Sequence, residues 1–280
     1  MSEERGSASE VDSWDLALDS RFDVSVAHIA RVYNYWLGGK DHFTADRIAG
    51  ENTIAVYPGI RLSARANRAF LARAVRYLAD TEGIRQFLDI GTGLPTANNT
   101  HEVAQATVPD SRIVYVDNDP LVLAHARALL TSSREGATAY LDADLRDTGT
   151  ILDRAADTLD LGEPVAIMLI AILHYIPDME EARQIVARLL DAVPAGSFLV
   201  ISHAGSDLFP DEMAAFEKSL NEHLPGDRHV ARPRAEVARF FEDTELLAPG
   251  VVRVSQWRPD SAEEAATPTT LWGGAGRKAP

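Results

Sequence analysis

The chain has 280 residues, with 42 Asp and Glu against 27 Lys and Arg, and its formal net charge is −15. It contains no cysteine, which excludes disulfides, thiolate metal sites and a cysteine nucleophile. The acidic surplus argues against binding of nucleic acid or of an anionic membrane, because Lys and Arg drive both. The longest apolar stretch, 165–173, falls far short of the roughly 20 residues of a membrane helix, and no signal peptide opens the chain. We therefore expect a soluble, cytoplasmic protein.

The first 80 residues predict a tail followed by helices. Residues 1–23 are polar and predict a flexible tail, and residues 24–280 form the predicted domain. Apolar side chains at helical spacing after residue 24 predict a helix that stops at Gly38-Gly39. Further helices are predicted over 46–56 and 62–78. Together they predict a helical cap over 24–80, ahead of a core over 81–280.

The core alternates short apolar strands with helices. Strands are predicted over 86–90, 112–116, 138–142, 165–170 and 197–202, with late strands over 251–257 and 270–272. Helices are predicted over 96–106, 120–130 and 178–192, and a loop over 259–268. This alternation is typical of a parallel sheet covered on both faces. The predicted fold is α/β, a Rossmann-like doubly wound, mostly parallel sheet of about seven strands.

A glycine turn gives the strongest local signal. The first core strand ends in Asp89-Ile90 and enters Gly91-Thr92-Gly93 before a helix. Glycines let a ligand approach the backbone closely, and a helix N-terminus offers free N–H groups. A nicotinamide-binding turn would carry a third glycine, where this chain has Thr96. A tight turn without a ligand is the alternative reading of this segment.

Carboxylates follow the next two predicted strands. Asp117 ends the second strand, at the place where an acidic residue binds ribose hydroxyls. Asp144 follows the third strand and could accept a hydrogen bond from an adenine amino group, with Leu145 as an apolar wall. The alternatives are a turn residue at Asp117 and a helix cap or solvated loop at Asp144. Asp119 is predicted to cap the next helix.

This arrangement resembles the class I S-adenosylmethionine-dependent methyltransferases. In that family the glycine turn holds the methionine part, the strand-two acid binds ribose and the strand-three acid contacts adenine. The segment from Ile172 to Asp178 resembles the family's segment near the transferable methyl group. The resemblance implies S-adenosylmethionine as cofactor.

A narrower resemblance covers about 24–278. The segment 30–43, the turn 88–96 and the C-terminal 272–278 are similar to an actinobacterial group of S-adenosylmethionine-dependent methyltransferases formerly listed as a domain of unknown function, DUF574. In the predicted helical cap, Tyr33 and Tyr35 would close the pocket and Gly38 would allow close approach of the backbone. The alternative is an ordinary amphipathic helix with a glycine stop. The predicted cofactor site comprises Tyr33, Gly38, Asp89, Gly91, Thr92, Gly93, Asp117, Asn118, Asp144, Leu145 and Ala171.

Two histidines are candidate catalytic bases. His174 follows the fourth strand and His203 the fifth, and ligands of open α/β sheets bind at the carboxyl ends of strands. Structural roles are the alternative for both, and His101 is expected to pack or to donate a hydrogen bond. No metal-ligand spacing, Gly-x-Ser-x-Gly elbow or Walker loop is present.

We therefore predict a methyltransferase that acts on a small-molecule acceptor by in-line methyl transfer. A non-catalytic S-adenosylmethionine sensor is the alternative, and a nicotinamide-dependent oxidoreductase is a weaker one. A homodimer is expected only on general grounds.

Overall fold

The computed structural model describes residues 23–129, 132–224, 226 and 228–279, so the predicted tail lies outside the described residues except for Asp23. The strands in these ranges are β1 Gln86–Ile90, β2 Arg112–Asp117, β3 Ala137–Asp142, β4 Ala166–Ile170, β5 Phe198–Ala204, β6 Thr244–Leu246, β7 Val252–Arg253 and β8 Leu271–Lys278. The α-helices are α1 Ile29–Leu37, α2 Thr44–Val56, α3 Ile60–Asp80, α4 Thr100–Thr107, α5 Pro120–Leu129, α6 Thr148–Ala155, α7 Met179–Asp191, α8 Pro210–His223, α9 Arg234–Arg239 and α10 Ala262–Ala266.

The strands form one sheet in the order β3-β2-β1-β4-β5-β8-β6, with β7 paired to β8. Strands β1 to β5 run parallel to their neighbours, and β8 is antiparallel to β5, β6 and β7. This confirms the predicted α/β fold with a mostly parallel sheet. The sheet described here has eight strands, one more than predicted, because the short, half-exposed β6 gives almost no apolar signal.

The sheet separates two apolar cores. Leu88 and Ile90 of β1 point into one core, whereas Phe87 points into the other. This division follows from the alternation of side chains along a strand. Because both faces are covered, β1, β4 and β5 are buried along their whole length.

Three local predictions need correction. The helix predicted from residue 96 begins at Thr100, because Asn99 and Glu102 form a capping box there. The predicted loop over 259–268 contains the short helix α10, whose first turn is capped by Ser261. The strand predicted over 251–257 is reduced to β7 and is followed by a turn of 3₁₀ helix.

The helices α1 to α3, here called the cap helices, span the segment for which a cap is predicted. Helices α1 and α2 pack against α8, whereas Phe70 and Leu71 of α3 lie in the core on one face of the sheet. Val32 and Trp36 of α1 share a buried cluster with Met213 and Phe216 of α8. The Trp36 indole N–H donates to Thr53 Oγ1 over 3.0 Å, which ties α1 to α2. The cap is therefore held to the core by a buried aromatic contact.

Along the described chain, every helix is too short or too polar to cross a bilayer.

Candidate functional site

A cavity lies where the cap helices meet the carboxyl ends of the parallel strands. It encloses about 1320 Å³, its open mouth included. The loops that follow β1, β2, β3 and β4 line one side, and α1, α3 and α8 line the other. Its position is the one at which open α/β sheets bind ligands.

The glycine turn brings backbone to the surface of the cavity. Gly91 and Gly93 have φ of +74° and +67°, a left-handed conformation that favours glycine. A Cβ on Gly91 would lie 2.6 Å from Cγ1 of Ile172, so the turn packs directly on the loop after β4. A Cβ on Gly93 would meet nothing within 4 Å, so its backbone borders open space. Thr92 between them also lines the cavity.

Asp117 holds the glycine turn and also lines the cavity. Its Oδ2 accepts from the Gly93 N–H over 2.8 Å, and its Oδ1 accepts from the Asp119 N–H over 3.0 Å. Burial raises the pKa of this carboxyl, while the two backbone N–H groups oppose the rise. The neighbouring Asn118 is exposed and lines the cavity as well.

Asp89 is a buried carboxyl at the end of β1. Its Oδ2 accepts from Thr100 Oγ1 over 2.5 Å. Burial raises the pKa of Asp89 to about 6, against the lowering effects of the Thr100 hydrogen bond and of the Arg68 charge. Arg68 lines the same cavity from α3 and donates to the Asn98 carbonyl over 3.2 Å. The pair presents one acidic and one basic group beside the glycine turn.

The loop after β3 forms another wall. Leu145 is buried and lines the cavity, as predicted. Asp144 is exposed and lines the cavity too, and its Oδ1 accepts from the Arg146 N–H over 2.8 Å. Arg146 itself also lines this wall.

The cap contributes Tyr33 to the cavity, but Gly38 and Tyr35 lie outside its lining. The Tyr33 hydroxyl donates to the Ala64 carbonyl and accepts from Asn67 Nδ2, each over 3.1 Å. Gly38 ends α1 in a left-handed conformation, which is why a glycine stands there. The cavity lining therefore gives no support to the cofactor contact predicted for Gly38.

A buried ionic cluster fixes α1 over the loop after β2. His28 Nδ1 lies 3.0 Å from Asp119 Oδ2, and Arg31 Nε lies 3.6 Å from the same oxygen. Arg31 Nε is also 3.4 Å from Asp46 Oδ1 at the start of α2. Asp119 additionally caps α5, as predicted, by accepting from the Leu121 N–H. The loop that carries Asp117 and Asn118 is thereby tied to the cap.

His174 lies on the cavity wall in the turn after β4, next to Ala171. Its Nδ1 accepts from the Ala204 N–H over 3.4 Å. Burial, with the charges of His229, His203 and Arg232, holds its pKa well below the usual range. The ring is therefore neutral, and because Nδ1 accepts, its proton is on Nε2. Ala171 has φ of +56°, strain of the kind that concentrates at functional sites.

His203 is buried and does not line the cavity, so the cavity gives no support to the catalytic role predicted for it. Its Nδ1 donates to the Ala204 carbonyl over 2.8 Å, and its Nε2 accepts from Arg232 over 2.8 Å. Both ring nitrogens are occupied inside the core. Side chains alternate along β5, so Ala204 faces the cavity and His203 faces away.

Sequence reasoning missed several lining residues, among them Asn67, Arg68 and His229. Asn67 Oδ1 is buried without a hydrogen-bond partner and can accept one hydrogen bond more. The sequence shows that α3 is rich in arginine, but it does not show which of these side chains face the cavity. His229 comes from a loop without a motif and reaches the site because the Val230 N–H donates to the His174 carbonyl. His101 has the structural role expected of it, with Nδ1 hydrogen bonded to the Tyr115 hydroxyl.

Within the described ranges, no group of three or more His, Asp or Glu side chains is arranged to hold a metal ion.

The fold is shared with methyltransferases of known structure. The plantazolicin methyltransferase BpumL in complex with SAH superposes with a TM-score of 0.52 at 13% identity, over 90% of this chain and 95% of that chain. At this identity the likeness shows the fold alone. No curated protein shows a significant similarity to this chain.

The family is shown by the sequence itself. The family model described as S-adenosyl methyltransferase matches residues 16–279. The chain therefore belongs to the S-adenosyl methyltransferase family, and its cofactor is S-adenosylmethionine. This confirms the predicted class and cofactor, and the comparisons give no support to the sensor alternative.

Two solved structures are similar over nearly their whole length. A DUF574 family protein from Streptomyces avermitilis is 44% identical, with a TM-score of 0.87 over 91% of this chain and 99% of that one. A protein from Thermobifida fusca, proposed to be a methyltransferase, is 40% identical, with a TM-score of 0.86 over 95% and 100%. The predicted resemblance to the DUF574 group is thus confirmed.

Proposed function

We propose that the protein transfers the methyl group of S-adenosylmethionine to a small-molecule acceptor bound in the same cavity. The observation that carries this proposal is the continuity of the cavity. One side has the glycine turn with Asp89 and Asp117, and the other has aromatic and imidazole side chains from Trp36, His174 and Phe216. Donor and acceptor would share one enclosed space, as in-line transfer requires.

The residues beside the glycine turn suit the polar parts of the cofactor. Asp117 would accept from the ribose hydroxyls with lone pairs left after its two backbone contacts. Asp144 would accept from the adenine amino group while Leu145 packs on the base. Asp89 would pair with the methionine ammonium and Arg68 with its carboxylate. The partnerless Asn67 Oδ1 gives independent support, because a buried acceptor requires a donor.

The protein contributes chiefly orientation and the exclusion of water. When bound, S-adenosylmethionine supplies an activated methyl group on a positively charged sulfur. Tyr33 and the cap cover the cavity, and the His28–Asp119 contact holds the cap down. His174 is a hydrogen-bond donor through Nε2, so it would position the acceptor and not take its proton. The role as a general base predicted for His174 is revised accordingly.

Cofactor affinity should depend on the ionisation of Asp89. Its pKa of about 6 means that the carboxylate is present above that pH and lost below it. We expect affinity for S-adenosylhomocysteine to fall by up to about tenfold per pH unit as the pH drops below about 6, because the protonated acid cannot pair with the ammonium. Titration calorimetry at pH 5 to 8 measures this.

The matched variant is Asp89→Asn, which keeps the size of the side chain and removes its titration. It should bind more weakly at pH 8 and lose the acid-side dependence. If its pH profile matched that of the unmodified protein, Asp89 would not be the titrating group.

The acceptor role is tested by a compound screen. Purified full-length protein is incubated with labelled S-adenosylmethionine and a set of small aromatic and heterocyclic compounds, and methylated products and S-adenosylhomocysteine are quantified together. The proposal predicts a product formed in equal amount to the S-adenosylhomocysteine released. Tight cofactor binding without turnover on any compound, but with turnover on a protein or nucleic acid, would contradict a small-molecule acceptor.

A further inference from the structure

The acceptor end of the cavity is apolar with a small polar floor. Its walls come from the cap, from α8 and from the start of β8, namely Trp36, Ile60, Ala64, Met213, Phe216 and Leu271. The polar groups here are His174, His229 and Thr270, which are all buried. Flat aromatic and aliphatic surfaces around a few convergent polar atoms are typical of sites for planar organic ligands.

Negative charge is confined to the cofactor end. Among the described residues that line the cavity, the carboxylates are Asp89 near the end of β1, Asp117 at the end of β2 and Asp144 after β3. Glu217 stands behind His229, with Oε2 3.9 Å from His229 Nδ1, and accepts from the Ala231 N–H, but it is not part of the lining. An acceptor that carried an ammonium group would therefore meet no carboxylate at the apolar end.

Positive charge, by contrast, is fixed beneath this end. Arg232 is buried, and its guanidinium donates to His203 Nε2 and to the carbonyls of Leu173, Ile176 and Pro177. These partners are neutral, so the hydrogen bonds hold the cation in place without cancelling its charge. Two carboxyls, Asp178 and Glu236, act on it only through longer-range attraction.

The polar floor is built from neutral imidazoles. The rings of His174 and His229 have centroids 4.6 Å apart, and that of His203 lies 5.5 Å from His174. Burial lowers the pKa of all three, and the Arg232 charge acts in the same direction. Because Nδ1 of His174 accepts from the Ala204 N–H, the proton of the ring is on Nε2, which can donate to an anion.

We propose that the acceptor is an aromatic compound that reacts as an oxyanion, with its ring against the apolar wall that Trp36 and Phe216 form together and its oxygen toward the His174 Nε2–H above Arg232. The inference rests on the proposed function.

The acceptor O–H loses its proton to solvent water before the transfer. The oxygen lone pair then forms the new C–O bond as the C–S bond breaks, and its electrons pass to sulfur, which becomes a neutral thioether.

The probe for this proposal is 4-nitrophenol, because its absorption spectrum reports its ionisation. It is titrated into the full chain saturated with S-adenosylhomocysteine, at a pH where the free probe is mostly protonated. We expect it to bind as the phenolate, with an apparent pKa lowered by about one unit, since the site favours the anion. The anion 4-nitrobenzoate and the cation 4-nitrobenzylammonium are titrated beside it. Binding of 4-nitrophenol as the phenolate, or binding of 4-nitrobenzoate, supports the oxyanion site, whereas binding of 4-nitrophenol as the neutral phenol alone would contradict it.

The variant His174→Phe should weaken phenolate binding by roughly tenfold or more and abolish the ionisation shift. The matched control is His125→Phe, because His125 is a half-buried histidine outside the cavity lining. Titration of both variants with S-adenosylhomocysteine shows whether the cofactor site is intact, so a failure of the proposed function is seen separately. Binding of neither anion, or equal binding of the ammonium probe, would overturn the proposal.

Discussion

Replacing Asp117 by Ala is expected to weaken binding of S-adenosylhomocysteine by about 100- to 1,000-fold. The carboxylate accepts from the backbone of Gly93 and Asp119, and the proposed ribose contact would use the same group. Hydrogen bonds to a charged group are each worth about 1.5–3 kcal/mol, so the loss of two ribose contacts near the lower end of that range, about 3–4 kcal/mol together, accounts for the expected effect. Titration calorimetry of both proteins measures the ratio of dissociation constants.

The matched control for this variant is Asp142→Ala. Asp142 ends β3 directly opposite Asp117 in the sheet register, but it is exposed and outside the cavity lining. Its removal should leave the affinity unchanged within about twofold. An Asp117→Ala protein that bound as tightly as the Asp142→Ala protein would show that Asp117 is only a turn residue.

Gly91→Ala is expected to lower the free energy of unfolding by about 2–5 kcal/mol and the cofactor affinity by at least tenfold. A left-handed conformation costs a non-glycine residue about 1–2 kcal/mol, and overpacking against Ile172 adds about 1–3 kcal/mol. The turn must shift to relieve the contact, and Gly93 and the cofactor would shift with it. Denaturant unfolding and calorimetry measure the two effects.

Gly83→Ala separates conformational strain from the steric contact. Gly83 also has φ of +74°, but a Cβ there would meet nothing within 4 Å. We expect a loss of about 1–2 kcal/mol in stability and no change in cofactor affinity. Equal effects of the two substitutions on affinity would mean that the close contact between Gly91 and Ile172 has no bearing on the cofactor site.

The parallel core was predictable because its signals are local and strong. Each of β1 to β5 is a short apolar run, and Asp89 and Asp117 could be placed because parallel strands end at a common edge. By contrast, the sequence pattern places the start of α4 at residue 96. The helix begins at Thr100, because Asn99 and Glu102 form a capping box there.

The acceptor side of the site was much less predictable. His174 and His203 both come at the carboxyl end of an apolar run in the sequence. Only the side-chain direction in the folded protein places His174 on the cavity wall and His203 away from it. A glycine after a helix can allow close approach of a ligand or can end the helix, and the sequence does not distinguish these uses. Gly38 ends α1. His229 and Arg232 lie on a loop that long-range hydrogen bonds bring under His174.

The most direct test of the account is calorimetric titration of the full chain with S-adenosylhomocysteine, with NAD⁺ titrated in parallel. We expect one equivalent of S-adenosylhomocysteine to bind per chain and no heat of binding for NAD⁺. Failure of S-adenosylhomocysteine to bind, or comparable binding of NAD⁺, would contradict it.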